Sequence, residues 1–123
     1  MTKNFRFEKD SMGKIKVPSE ALWGAQTQRS IMNFSVGEEL MPIELIYSIT
    51  LIKKAAAKAN YKLGLLDKVK KELIIEACTE ILDGIHDSQF PLKIWQTGSG
   101  TQTNMNINAV SYTHLTLPTI YSV

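Results

Sequence analysis

Hydroxyl, amide and glycine residues are concentrated in one stretch, residues 95–108, which reads WQTGSGTQTNMNIN. Two glycines flank Ser99 and allow a tight turn that brings backbone N–H groups close to a ligand. A helix that begins near Thr101 would direct its unpaired N–H groups and the positive end of its dipole to the same place. The hydroxyls of Ser99, Thr101 and Thr103 can donate or accept hydrogen bonds. The pattern predicts a loop that binds a carboxylate or a phosphate.

The charged residues of the chain lie outside this stretch. All 14 Lys and Arg residues and all 12 Asp and Glu residues fall within residues 1–93, so an anion at the loop would be held by neutral donors. The alternative is a flexible Gly-Ser-Gly-Thr turn followed by a polar helix face of Asn104, Asn106 and Asn108, because short Gly/Ser motifs often occur by chance.

The stretch WQTGSGTQTNMNIN resembles the substrate-binding signature of class II fumarases in the fumarase/aspartase superfamily. Further segments resemble the same family in order and spacing: EKDSMG (8–13), VP (17–18), LWGAQTQRS (22–30), MPIELI (41–46), KKAAA (53–57) and FPL (90–92). The resemblance covers residues 5–108 almost continuously. Three features favour the fumarase branch, since aspartase-like members tend to carry Ala, Ser and Tyr-Gly in place of Ser99, Gln102 and Trp23-Gly24.

The resemblance implies the reversible hydration of fumarate to L-malate, a carbon–oxygen lyase reaction that needs no metal or other cofactor. It assigns Ser99, Gly100 and Thr101 to substrate binding, with Asn104 close behind them. The family's acid/base histidine and catalytic serine belong to segments without a counterpart here. We therefore expect no catalytic residue in this chain, which resembles an N-terminal fragment of a homotetrameric enzyme and should be inactive alone.

Two other functions remain open, an aspartate ammonia-lyase of the same superfamily and a non-catalytic helical module that binds a partner. The net charge of +2 is too small to indicate nucleic acid or an acidic membrane as a partner. No signal peptide or membrane-length apolar stretch is present in the sequence, so a cytoplasmic location is the default expectation. His86 and Asp87 could form an acid/base pair, although adjacent loop residues more often cap a helix. Cys78 is the only cysteine and is predicted to be buried.

The elements that would position the loop are mainly α-helical. Residues 1–39 read as loop-rich with a short strand at 14–17, and a helical hairpin follows at 42–63 and 67–83. This corresponds to the N-terminal domain of the fumarase/aspartase fold without its central helical bundle. Pro42 suits a helix start, Gly64 a helix end and Asp67 an N-cap.

Apolar periodicity predicts one buried stripe on each helix of the hairpin. On the first helix the stripe is Leu45, Ile49, Ile52, Ala56, Ala59 and Leu63. On the second it is Leu73, Ile74, Ala77, Ile81 and Ile85, with Glu72, Glu76, Glu80 and Asp83 facing outward. The lysines at 53, 54, 58, 62, 68, 70 and 71 are interpreted as solvated helix faces.

The family resemblance ends after Asn108, which divides the chain into a lyase-like domain (1–108) and a tail (109–123). Ala109 stands where the family places Glu, and the residues that follow are rich in Tyr, Thr, Ile and Val. Pro118 should also block helix propagation. We expect the tail to be foreign to the native gene and to form irregular backbone or an unpaired strand.

Overall fold

A β-hairpin opens the computed structural model, which describes residues 4–96 and 99–122, with side-chain surroundings as far as Ser111. Strands β1 (Phe5–Asp10) and β2 (Gly13–Pro18) are antiparallel, with Phe5 opposite Pro18 and Asp10 opposite Gly13. Gly13 has a φ of 110° at the turn, a conformation that favours glycine. The strand predicted at 14–17 is confirmed, whereas β1 lies in the region predicted to be loop. The alternation of Phe5, Arg6, Phe7 and Glu8 is a strand signal that the prediction missed, and the half-buried residues of β1 are all charged while its phenylalanines are exposed.

Helix α1 (Ala25–Asn33) also lies in the region predicted to be loop. The helical hairpin that follows it was predicted. The hairpin is confirmed as α2 (Ile43–Lys62) and α3 (Lys68–Leu82). Gly64 ends the first helix with a φ of 76°. Asp67 caps the second, because its Oδ1 accepts a 2.8 Å hydrogen bond from the Lys70 N–H.

The predicted buried stripe of α2 is wrong except at Ile49, which is partly buried against the core. The helix buries Ile46, Thr50 and Ala57 instead, while Leu45 and Ile52 are 44% and 68% exposed. Apolar residues occur on more than one side of this helix, so periodicity alone could not show which side packs against α3 and α4. Among the described residues, the apolar side of α2 that carries Leu45 and Ile52 is exposed to solvent.

The stripe predicted for α3 is confirmed in part. Ala77 and Ile81 are fully buried, as is Cys78. Ile85 is 63% exposed because the helix ends at Leu82, before this residue.

Helix α4 (Thr101–Ser122) packs against α1, α2 and α3. A buried apolar cluster joins Ile46, Ile81, Phe90, Ile107 and Val110, so the core lies where α2, α3 and α4 meet. The mainly α-helical fold class is confirmed. None of the described helices is both long enough and apolar enough to cross a membrane.

The conformation predicted for the tail is wrong, because α4 continues through residues 109–122. Helix nucleation is the costly step, and it is already complete in the first turns after Thr101. Each added β-branched or aromatic residue then costs only a few tenths of a kcal/mol. Pro118 removes one backbone donor without ending the helix in this structure.

Candidate functional site

The candidate site is the loop between a short β-bridge and the start of α4. Leu40 and Lys93 form an isolated antiparallel bridge, and the Ile94 N–H donates to the Glu39 carbonyl at 2.9 Å. At the other end, Gly100 has a φ of 74° and α4 begins at Thr101. The helix start predicted near Thr101 is therefore confirmed, while Gly98, the other glycine beside Ser99, lies outside the described residues.

Ser99 and Thr101 lie together at the N-terminus of α4. Their hydroxyl oxygens are 3.0 Å apart, and the Thr101 N–H donates to Ser99 Oγ at 3.4 Å. Both side chains are exposed and Gly100 is half-buried. The three residues predicted to bind substrate are thus contiguous and accessible at the positive end of a 22-residue helix.

Thr103 does not join this exposed group. It is 3% exposed, and both its hydroxyl and its N–H lie within hydrogen-bond distance of Gln96 Oε1, at 3.1 and 3.3 Å. The expectation that the Thr103 hydroxyl contributes to ligand binding is wrong, because the side chain turns inward. Gln96 was missed by sequence reasoning, since only the fold shows that its side chain reaches α4.

A lysine of α2 contacts the first turn of α4. The Lys53 ammonium donates a 2.7 Å hydrogen bond to Asn104 Oδ1, and burial lowers the pKa of Lys53 from its ordinary value. The interpretation of the lysines as solvated faces is wrong for Lys53, although Lys58 and Lys62 are exposed. The loop has no charge of its own, but α2 brings one close to it.

A small cavity of about 140 Å³ adjoins the loop, lined in part by Thr101 and Gln102 and by residues of α1. Arg29 is among them, and its guanidinium donates to the Asp10 carboxylate at 2.8 and 3.0 Å. It also donates to the Gly13 carbonyl at 3.0 Å. These hydrogen bonds hold the pKa of Asp10 below its usual value. The charge of Arg29 is therefore balanced by Asp10, and the pair fixes the β-hairpin on α1.

Comparison with known proteins assigns the chain to a family. The sequence model of a family described as Lyase matches residues 13–115. The chain belongs to this lyase family. The match extends beyond Asn108, where the resemblance noted from the sequence ends.

Relatives of this lyase are described as class II fumarate hydratases. The protein of Prochlorococcus marinus subsp. pastoris is 86% identical over 110 residues, which cover 89% of the chain and 24% of the relative. That of Myxococcus xanthus is 59% identical over 109 residues, covering 89% of the chain and 23% of the relative. The chain thus spans about a quarter of the length of these relatives. The resemblance to class II fumarases is confirmed.

Solved structures agree with the sequence relatives. The class II fumarase of Schistosoma mansoni is 49% identical, with a TM-score of 0.87 over 90% of the chain and 24% of the fumarase. The fumarate lyase:delta crystallin of Brucella melitensis in its native form is 39% identical, with a TM-score of 0.85 over 90% of the chain and 26% of that protein. The fold of the lyase chain is therefore that of a segment of these proteins.

His86 and Asp87 of the lyase chain connect helices. His86 Nε2 lies 2.9 Å from Glu80 Oε1, which is half-buried rather than facing fully outward as predicted. Asp87 Oδ1 accepts a 2.7 Å hydrogen bond from the Tyr47 hydroxyl, and this raises the pKa of Tyr47. The Asp87 contact joins the segment after α3 to α2, and the His86 contact joins it to α3 itself, so the structural interpretation of the two residues is favoured over an acid/base pair. Cys78 is likewise structural, and its burial raises the pKa of its thiol.

Proposed function

We propose that this chain is part of a fumarate hydratase, in which Ser99, Gly100 and Thr101 bind a carboxylate of fumarate or L-malate. The observation that carries the proposal is the exposed pair of hydroxyls, 3.0 Å apart, at the N-terminus of α4. Helix N-termini favour anions through their N–H groups and dipole. The family membership and the names of the relatives supply the reaction.

The chemistry of dehydration explains why such a site would help. A base removes the proton beside one carboxylate of malate, so negative charge develops on that carboxylate as the hydroxyl of the next carbon leaves. Hydrogen-bond donors that are already in place stabilise this charge without reorganising, and one such donor is typically worth about 3 kcal/mol. Hydroxyls of Ser99 and Thr101 are donors of this kind, and Gly100 allows the substrate to approach the backbone closely. These residues bind and orient the substrate, and they transfer no proton.

The family resemblance also supports a homotetramer for the whole enzyme and a cytoplasmic location, and we include both in the proposal. The assembly is testable by determining the molar mass of an active enzyme in solution. A mass of one subunit for the active form would contradict it. Fractionation of the source cells would test the location.

The proposed activity can be tested with a chimera, because the chain spans about a quarter of its relatives. In the chimera, residues 1–108 are joined to the remaining sequence of the Prochlorococcus marinus subsp. pastoris relative. The hydration of fumarate is measured as a decrease in the absorbance of fumarate. We expect turnover by the chimera and none by the 123-residue chain alone. The exposed Ser19 provides a control variant, Ser19→Ala, which should keep the activity of the chimera.

Two outcomes would contradict this proposal. A folded chimera without fumarate hydration would remove the support for the reaction, and deamination of L-aspartate by the chimera would favour an aspartate ammonia-lyase. Turnover by the homogeneous 123-residue chain would show that it contains proton-transfer groups which we do not assign. Gel filtration of the chain with a full-length fumarase tests the non-catalytic helical module, which would form a stable complex without catalysis.

A further inference from the structure

The side chain of Gln96 connects the two ends of the candidate loop. Its Oε1 accepts hydrogen bonds from the N–H and the hydroxyl of Thr103 in α4, at 3.3 and 3.1 Å. Its Nε2 donates to the Lys93 carbonyl at 2.9 Å, where the loop leaves the β-bridge. We propose that Gln96 is a positioning residue, which holds Thr101 in the geometry that binds the substrate carboxylate. This inference rests on the function proposed above.

The first turn of a helix has N–H groups without partners inside the helix. The Thr103 N–H is one of these in α4, and Gln96 Oε1 accepts its hydrogen bond, whereas the Asn104 N–H makes the first hydrogen bond of the helix, to the Gly100 carbonyl. Gln96 accepts the hydrogen bonds of the buried Thr103 from within the protein and so keeps this side of α4 turned inward. The hydroxyls of Ser99 and Thr101 therefore stay at the exposed end of the helix. The start of α4 is thereby held in place before a ligand arrives, which is the requirement for a preorganised binding site.

The chemistry of the contact explains why a glutamine suits this place. The position needs one atom that accepts two hydrogen bonds and another that donates one, and a primary amide provides both. Glutamate would supply the acceptor without the donor and would add negative charge beside an anion site. Methionine has a similar length and provides neither strong donor nor strong acceptor, so Gln96→Met removes the connection with little change in volume.

The test uses the active chimera with Gln96→Met, Thr101→Val and the double variant. We expect Gln96→Met to lower kcat/KM by about 10- to 100-fold, since misplacing a binding group by about 1 Å costs up to that much. The decisive result is the double variant. If Gln96 acts through Thr101, the double variant should lie within about twofold of Thr101→Val alone, because coupled residues are not additive. A general loss of folding would instead add to the loss caused by Thr101→Val.

Lys58→Met serves as the control, since it places the same side chain on an exposed part of α2. If Gln96→Met does not fold, Thr103→Val removes one of the two donors to Gln96 at nearly constant volume and should show a smaller loss with the same coupling. An active chimera whose kcat/KM is unchanged by Gln96→Met, or a double variant whose losses are additive, overturns the role of Gln96 and leaves the proposed function standing. An inactive parent chimera overturns both.

Discussion

Lys53 in α2 donates a 2.7 Å hydrogen bond to Asn104 in the first turn of α4. A positive charge near a helix N-terminus opposes the helix dipole, and burial of this ammonium is unfavourable, as its lowered pKa shows. The hydrogen bond to Asn104 offsets part of both effects. The charge is thus retained at a place where it would favour an anion bound to the loop.

We predict that Asn104→Ala loosens the start of α4 without unfolding the chain. The substitution leaves the half-buried Lys53 ammonium without this acceptor, so it should lower the free energy of unfolding by about 1 kcal/mol. The measurement is urea unfolding at neutral pH, with Asn108→Ala as the control on the exposed side of the same helix. Equal stability of Asn104→Ala and Asn108→Ala would show that the contact with Lys53 contributes nothing.

The Asp10–Arg29 pair predicts acid sensitivity. Because Arg29 lowers the pKa of Asp10 below its ordinary value of 3.8, the carboxylate stabilises the fold at pH values above 3.8, and this contribution is lost as pH falls through the lower pKa of the folded state. We expect Asp10→Asn to have a lower urea midpoint than the unaltered chain at pH 7. The difference should shrink as the pH is lowered below 3.8. Asp83→Asn, at an exposed site, should show neither effect, and a difference for Asp10→Asn that is constant with pH would contradict the role of the carboxylate.

The two helices of the hairpin and their ends could be predicted from local signals, whereas α1, the continuation of α4 and the packing faces could not. Gly64 and Asp67 act through their own backbone and side-chain chemistry, so they mark the hairpin correctly. The buried side of α2 depends on which elements pack against it. Ile46 is buried and Leu45 is exposed because α3 and α4 pack on the side of Ile46, which the sequence pattern does not show.

The site shows the same division. The exposed Ser99 and Thr101 were predictable from a compact motif and its family resemblance. Two contacts of the site could not be predicted. The contact of Lys53 with Asn104 joins residues 51 positions apart, and the contact of Gln96 with Thr103 depends on which side of α4 faces the protein.

The open side of α2 should make the 123-residue chain associate. Leu45, Ile52 and Leu63 are 44%, 68% and 72% exposed, and neighbouring apolar residues left in water favour association or loose packing. We expect the sedimentation coefficient to increase with protein concentration. Ile52→Lys should weaken this association, whereas the control Lys58→Glu, which exchanges one charged side chain for another, should have less effect. A monomer with a sharp thermal transition that does not depend on concentration would contradict this prediction.

The origin of residues 109–123 stays a prediction. The helical backbone of this segment does not decide whether the native gene encodes it, although the match to the family extends as far as residue 115. We expect that resequencing the locus will replace SYTHLTLPTIYSV by a reading frame that resembles the relatives beyond Asn108. An in-frame SYTHLTLPTIYSV followed by a stop codon would show that the tail is native.

The most direct test of the central claim is the specificity constant of the active chimera for fumarate after Thr101→Val. Valine keeps the shape of threonine and removes its hydroxyl, so the expected loss is about 1–3 kcal/mol of transition-state stabilisation, the usual range for a hydrogen bond to a charged group. This corresponds to a fall in kcat/KM of about 5- to 150-fold. An unchanged kcat/KM in a correctly folded variant would contradict the assignment of the loop as the carboxylate-binding site.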